Sequence, residues 1–170
     1  RNDIATLKPY KGTRKADKPF HYENLRSYMV NRYGAIVIEG MEADDAMSIE
    51  QSSDYWSLFG SKDNAEQHSK VCKTIICTRD KDLRMVPGWH YSWELGNQAA
   101  KGPHFTDELG SLEMSEKGKL TGYGLKFFYS QIITGDTVDN IPGLPRGGPK
   151  LAYKLLCDDL SEVELYYSVR

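Results

Sequence analysis

The run Val71-Cys72-Lys73-Thr74-Ile75-Ile76-Cys77-Thr78-Arg79-Asp80-Lys81-Asp82 passes from an apolar, β-branched segment directly into alternating acids and bases. Val71 to Thr78 predicts a buried strand, so Asp80 and Asp82 are expected at a strand's carboxyl end. A second β-branched run, Ala35-Ile36-Val37-Ile38 after Gly34, predicts another strand. Glu42-Ala43-Asp44-Asp45 follows it after a turn at Gly40-Met41. Trp89 to Leu95 alternates and predicts a third strand. Tyr22, Leu25, Met29 and Tyr33 are spaced for a short amphipathic helix over 20–33. Further helices are expected from Glu42 to Gln51, from Leu125 to Thr134, and from Pro149 to about Cys157, with Pro149 in a first turn. Residues 1–19 and 135–148 read as loop and turn, 52–70 as loop or short helix, and 96–121 as an exposed excursion. The order of strands and helices predicts an α/β fold with a parallel sheet and a helical appendage. Ligands of such sheets gather beyond the strands' carboxyl ends.

The chain has 170 residues, of which 39% are hydrophobic and 27% charged, as expected of one globular domain. Its apolar runs are far too short to cross a bilayer as a helix. Cys72, Cys77 and Cys157 are odd in number and unsuited by spacing to a disulfide framework or a zinc site. That fits a reducing compartment. Arg1-Asn2-Asp3 carries no apolar leader, and the chain lacks an initiator Met, so it is expected to be a fragment. The net charge of -2 hides an asymmetry. Residues 1–32 hold eight Lys/Arg against three Asp/Glu, a net +5, and the acidic remainder is suited to holding cations.

Three acidic clusters carry the candidate chemistry: Glu42/Asp44/Asp45, Asp80/Asp82 and Asp136/Asp139. Asp80 and Asp82 share a direction if the chain there is extended. Asp136 and Asp139, like Glu42 and Asp45, are three apart and are neighbours on a helix. Two like charges ~6 Å apart at an effective dielectric of ~20 repel by roughly 3 kcal/mol, so convergence of all seven requires cations. Oxygen-only ligands suit Mg²⁺ or Mn²⁺ rather than zinc. Two such ions about 4 Å apart activate a water and stabilise the leaving oxygen of a phosphodiester. Two other segments suit a polyanion. One is the Gly/Pro turn Gly143-Leu144-Pro145-Arg146-Gly147-Gly148 running into a helix at Pro149-Lys150. The other is Tyr10-Lys11-Gly12-Thr13-Arg14-Lys15, where bases flank an aromatic. Taken singly, each has an ordinary reading as well: a helix cap or solvated turn, an interhelical turn, and a solvated basic loop.

In this order, Tyr10–Arg14, Glu42–Asp45, Thr78–Asp82 and Gly135-Asp136-Thr137-Val138-Asp139-Asn140-Ile141-Pro142-Gly143 resemble the motifs of the 5′ nuclease family. That family comprises phage 5′→3′ exonucleases, flap endonucleases and the 5′-nuclease domains of bacterial DNA polymerases, and the phage members look closest. The resemblance implies a PIN-like catalytic core over 1–134 and a helix–turn–helix (helix-three-turn-helix) DNA-binding region over 135–170. It implies metal ligation by Glu42, Asp44, Asp45, Asp80, Asp82, Asp136 and Asp139. Lys11 would neutralise the scissile phosphate, and Arg14 would line the path of the 5′ strand. Tyr10, Lys15, Arg146, Gly147, Gly148 and Lys150 would contact DNA. The turn 143–150 would also hold K⁺ through its carbonyls, although Arg146 replaces the first glycine of the family's Gly-x-Gly. The family carries two further aspartates upstream of the segment that begins here at Arg1. The implied activity is cleavage of DNA with a 5′ end or flap, or of RNA–DNA hybrids, leaving a 5′-phosphate. The implied setting is a monomer in the cytoplasm, a host's if the source is a phage, serving replication and repair. The alternatives are a catalytically dead DNA-binding module and a PIN-type nuclease acting on RNA.

Overall fold

Asp54 sets where the first strand begins. Its Oδ2 accepts hydrogen bonds from the backbone N–H groups of Lys73 (2.7 Å) and Thr74 (2.9 Å) and from Thr74 Oγ1 (2.9 Å). Those groups are thereby withdrawn from any ladder, and the expected strand Val71–Thr78 shortens to β1, Ile75–Cys77. This computed structural model describes residues 7–9, 12, 17–57, 69–158 and 160–170. β1 runs parallel to β2 (Gly88–Ser92), with Ile75 opposite Trp89 and Cys77 opposite Tyr91. β2 then pairs antiparallel with β3 (Lys101–Thr106). The fold is mixed α/β, and its main sheet is a small mixed one of order β1-β2-β3 rather than an all-parallel one.

Two helices precede the sheet. α1 (Tyr22–Tyr33) buries none of its residues. α2 (Ala43–Ser57) runs further than Gln51, because Gln51 and Tyr55, one turn apart, both face the sheet. Gln51 Nε2 donates to Pro87 O (3.1 Å), and the Tyr55 ring stacks on Phe105 at 6.1 Å. Ala35–Ile38 is a correction: it forms no strand, and Ile36 is 86% exposed. Gly34 and Ala35 instead spend their N–H groups closing α1, on Val30 O and Met29 O. β-branching favours a pleated, half-buried surface, and none of the described strands offers one here. The first acidic cluster therefore follows a helix and a loop, not a strand.

The expected excursion 96–121 is also corrected. It contains β3 and a hairpin of β4 (Ser111–Met114) with β5 (Leu120–Tyr123), and it delivers Leu112 to the core. Its Gly, Ser and Lys residues fill turns and the outward positions of the strands. The hairpin leads into α3 (Gly124–Thr134), whose first free N–H groups, on Leu125 and Lys126, are satisfied by Glu108 O and Leu109 O. Phe127, Ser130 and Ile133 repeat every three residues along its buried face. β6 (Gly135–Asp136) and β7 (Ile141–Pro142) pair antiparallel within the turn region. α4 (Pro149–Leu156) and α5 (Glu162–Ser168) follow, the latter opened by a Ser161/Glu164 capping box. Leu112, Phe127, Tyr129, Ile133, Ala152, Leu156 and Leu165 form one core that draws on both sides of residue 135. Among the described residues, no helix is long and apolar enough to cross a membrane.

His90 makes the fold sensitive to acid. It is buried in β2, its Nε2 donating to Val86 O at 2.7 Å, with the His104 ring stacked 5.7 Å away. Burial chiefly, with His104 and Arg84 nearby and against the Val86 carbonyl, pushes its pKa down to about 4. Below the unfolded value of about 6.5, the unfolded chain takes up a proton that the folded chain refuses, so stability falls as pH drops. Urea unfolding at pH 7.5, 6 and 4.5 should show a loss of roughly 2.5 kcal/mol by pH 4.5, the full effect being reached only below the folded pKa. His90→Gln should be less stable at pH 7.5 but should lack this component, so its pH profile should be flatter than that of the parent.

Candidate functional site

At the end of β1 the chain does not stay extended, as the expectation of parallel Asp80 and Asp82 side chains requires. Thr78 Oγ1 accepts from Asp80 N (3.0 Å), and Asp80 Oδ1 accepts from Asp82 N (3.0 Å). These bonds wind the motif into a 3₁₀ turn over Asp82–Met85. Asp80 becomes an exposed turn-former, and Asp82 points toward α3, where Gln131 Nε2 donates to its Oδ1 at 3.1 Å.

Asp136 lies at the other side of this junction, in β6 just past α3. It is 7% exposed. Its Oδ1 accepts from Val138 N (2.8 Å) and, more weakly, Asp139 N (3.4 Å), which curls the Asp136–Asp139 segment around the carboxylate. Its Oδ2 accepts from Lys81 Nζ at 2.6 Å, and the same ammonium lies 3.6 Å from Asp82 Oδ1. The second and third acidic motifs, 55 positions apart, therefore meet around a single cation. Burial alone would raise the pKa of Asp136, but the Lys81 hydrogen bond and the Val138 and Asp139 N–H groups outweigh it and hold the carboxyl below its usual value. Burial likewise opposes charge on Lys81, and the bond from Asp136 together with the nearby Asp82 outweighs it, so its pKa is raised. Neither Lys81 nor Gln131 is among the site residues that the sequence marks. The Asp-Lys-Asp alternation held the signal for Lys81, whereas nothing local marks Gln131.

The first cluster opens α2 rather than ending a strand. Glu42 precedes α2, and Asp44 and Asp45 lie in its first turn, half-buried. Asp44 Oδ1 accepts from Asp45 N at 3.0 Å. Among the described residues, no group of three or more His, Cys, Asp or Glu is arranged to hold a metal ion. The seven carboxylates are thus not brought into one group. What the structure does provide is two carboxylates on one cation position. That cation is Lys81, 2.6 Å from Asp136 Oδ2 and 3.6 Å from Asp82 Oδ1.

Tyr10, Lys11, Arg14 and Lys15 lie outside the described residues. Their neighbour Pro9 is described, and its carbonyl accepts from Asn140 Nδ2 at 3.0 Å. That contact joins Pro9 to the Gly135–Gly143 motif across 131 positions.

The turn 143–148 is folded onto the end of α3. Leu144 N donates to Ile133 O (3.0 Å), Gly147 N to Leu144 O (2.8 Å), and Gly148 is the N-cap of α4 with Pro149 at its start. A Cβ at Gly143 would lie 2.5 Å from Ile133 O, and one at Gly147 would strike the same carbonyl. Arg146 is exposed at φ 62°, and Lys150 is exposed in the first turn of α4. No side chain caps α4 at Gly148, so its leading N–H groups are not covered by a cap. Comparison with protein-family models, with curated proteins and with solved structures gives no match.

Gly147→Ala should cost about 1–3 kcal/mol, since the added carbon would press on the Ile133 and Leu144 carbonyls. The check is urea unfolding together with hydrogen exchange at the Leu144 amide, which should accelerate as the Ile133 bond loosens. Unchanged stability and exchange would show that the turn is not packed as described.

Proposed function

We propose that this chain is a metal-dependent, structure-selective 5′→3′ nuclease that cuts DNA phosphodiester bonds and leaves a 5′-phosphate. The observation that carries this reading is the meeting of Asp82 and Asp136 at one cation position. It joins Thr78–Asp82 to Gly135–Gly143, the most specific stretch of the resemblance. The hydrogen bond from Asn140 to the Pro9 carbonyl supports it, because it brings Pro9, the residue before the basic Tyr10–Lys15 motif in the sequence, to the same turn. In this reading the fold is a PIN-like core over 1–134 with a helix–turn–helix region over 135–170, working as a monomer in the cytoplasm. DNA with a 5′ end or flap, or an RNA–DNA hybrid, is the substrate.

Asp82 and Asp136 would hold a divalent ion, with Asp80 and Asp139 alongside. Such an ion supplies Lewis-acid activation of a water and charge stabilisation at the phosphate. The protein's own residues orient and bind. Gln131 fixes the Asp82 carboxylate, and Val138 N–H fixes that of Asp136. Lys11 and Arg14 are placed by the resemblance on the scissile phosphate and the 5′ strand. Arg146, Gly147, Gly148 and Lys150, at the open start of α4, suit a duplex phosphate, and the turn carbonyls suit K⁺. By the resemblance, Glu42 and Asp44, with Asp45 close by, would serve the first metal of a two-ion site.

A second reading is favoured by one observation: no described group of three carboxylates stands ready for a metal. On that reading the chain binds branched DNA without cutting it. A panel of flapped DNA, nicked duplex and single-stranded RNA, with Mg²⁺ or EDTA, separates the readings. The nuclease reading expects cleavage of flapped DNA that EDTA abolishes and Mg²⁺ restores. Asp82→Asn should lower the rate by more than about 100-fold, close to 2.7 kcal/mol of barrier, while DNA binding in Ca²⁺ persists. Tight DNA binding with no cleavage in any metal would establish the second reading, and preferential cleavage of RNA would point to a PIN-type nuclease instead.

A further inference from the structure

A cavity of about 390 Å³ lies where the turn after β3, the start of α3 and the link into α5 meet. It is lined by Asp107, Leu109, Gly110, Lys126, Leu160 and Ser161. Lys126 is only 7% exposed. Its backbone N–H is spent on Leu109 O, and among the described residues no hydrogen bond, ion pair or ring contact engages its ammonium. Nor is that ammonium sealed in: the enclosed, unpaired side-chain atoms of the described residues are Gln51 Oε1 and His104 Nε2. The Lys126 nitrogen therefore keeps an outlet, and the cavity that Lys126 lines provides it. Burying a charge without a partner disfavours folding, and a leucine or methionine would fill the same place on α3 without that cost. We propose that this cavity binds a small organic monocarboxylate, a single carboxylate group on a short apolar body, with the Lys126 ammonium as its counter-charge.

The other walls fit that chemistry. Leu109 and Leu160 both pack against the hydrophobic core and offer the ligand's carbon chain an apolar wall. Asp107 is exposed, and its Oδ1 accepts from Gly110 N at 2.6 Å. Its negative charge sets a limit: one anionic charge opposite Lys126 is tolerated more readily than the two of a phosphate. The volume lies within the roughly 300–1,000 Å³ of small-molecule sites. The walls are also fixed. Leu125 N and Lys126 N donate to Glu108 O (2.9 Å) and Leu109 O (3.0 Å), and Leu160 N donates to Asp158 O (2.9 Å). Gly110, at φ 68°, packs so closely on Gly124 that a Cβ on it would lie 2.7 Å from Gly124 Cα. Ser161 is held in the capping box of α5. A cavity shaped before the ligand arrives loses less ordering entropy on binding. It shares no residue with the Asp82–Asp136 junction, and the inference stands apart from the nuclease reading.

The test is titration of the full chain with pentanoate, and separately with inorganic phosphate at the same ionic strength, read from the amide resonances of Gly110, Lys126 and Ser161, with thermal unfolding alongside. Pentanoate should shift the three resonances together and saturably, with a Kd of about 1 mM, and phosphate should bind at least about tenfold more weakly. Lys126→Met, which keeps the length of the side chain without its charge, should lose the pentanoate shifts. Without ligand it should melt about 2–4 °C higher than the parent. Asp107→Asn, which keeps the acceptor for Gly110 N–H, should still bind pentanoate and should bind phosphate more tightly than the parent does. No saturable shift with pentanoate, equal binding of phosphate by the parent, or undiminished pentanoate binding by Lys126→Met would overturn the proposal. A Lys126→Met protein that melts lower than the parent would show that the lysine serves the fold and would overturn it as well.

Discussion

Burial of one face of α3 is the constraint on which the other elements depend. Ile133 shows the economy of this arrangement. Its side chain is fully buried among Leu112, Phe127, Ala152 and Leu156, while its carbonyl, at the end of the helix, accepts Leu144 N and lies against Gly143 and Gly147. One residue therefore fixes both the core and the path of the turn. Gln131, on the same helix, reaches Asp82, and β6 continues α3 directly into Asp136. The position of the acidic junction follows from the packing of that helix.

The junction itself is an electrostatic compromise. Asp136 is taken almost out of water, which disfavours its charge, and the structure answers with an ammonium and two backbone N–H groups. A carboxylate satisfied in this way is a stabilising element in its own right. Substituting Asp136 removes the centre of a turn as well as a candidate ligand, so Asp82, which is more exposed, is the cleaner probe of chemistry.

The sequence revealed the elements whose patterns are local. α3 and α4 were legible because apolar periodicity and a Pro start coincide with their observed bounds, and β2 because Trp89 onward alternates. The meeting of Asp82 and Asp136 at Lys81 is foreshadowed by the placing of both clusters at the ends of elements and by the family resemblance, which groups them. Other features depend on distant partners. Ala35–Ile38 has every strand-like residue yet no neighbour among the described strands. The segment 96–121 reads as solvent-bound because it is rich in Gly, Ser, Lys and Glu, yet Phe105 finds a partner across the sheet and Leu112 one in the core. Asp54, which delays β1, carries no local mark, since its partners Lys73 and Thr74 lie about twenty positions away.

The central claim is that Asp82 and Asp136 form one cation position. Paramagnetic broadening by Mn²⁺ of assigned amide resonances in the chain, without DNA, tests it directly. The account predicts that the amide signals of Asp82, Val138 and Asp139 and the side-chain amide of Gln131 broaden first and together, at substoichiometric metal. Early broadening confined to Asp44 and Asp45 at the start of α2, or none at all near Asp136, would contradict it.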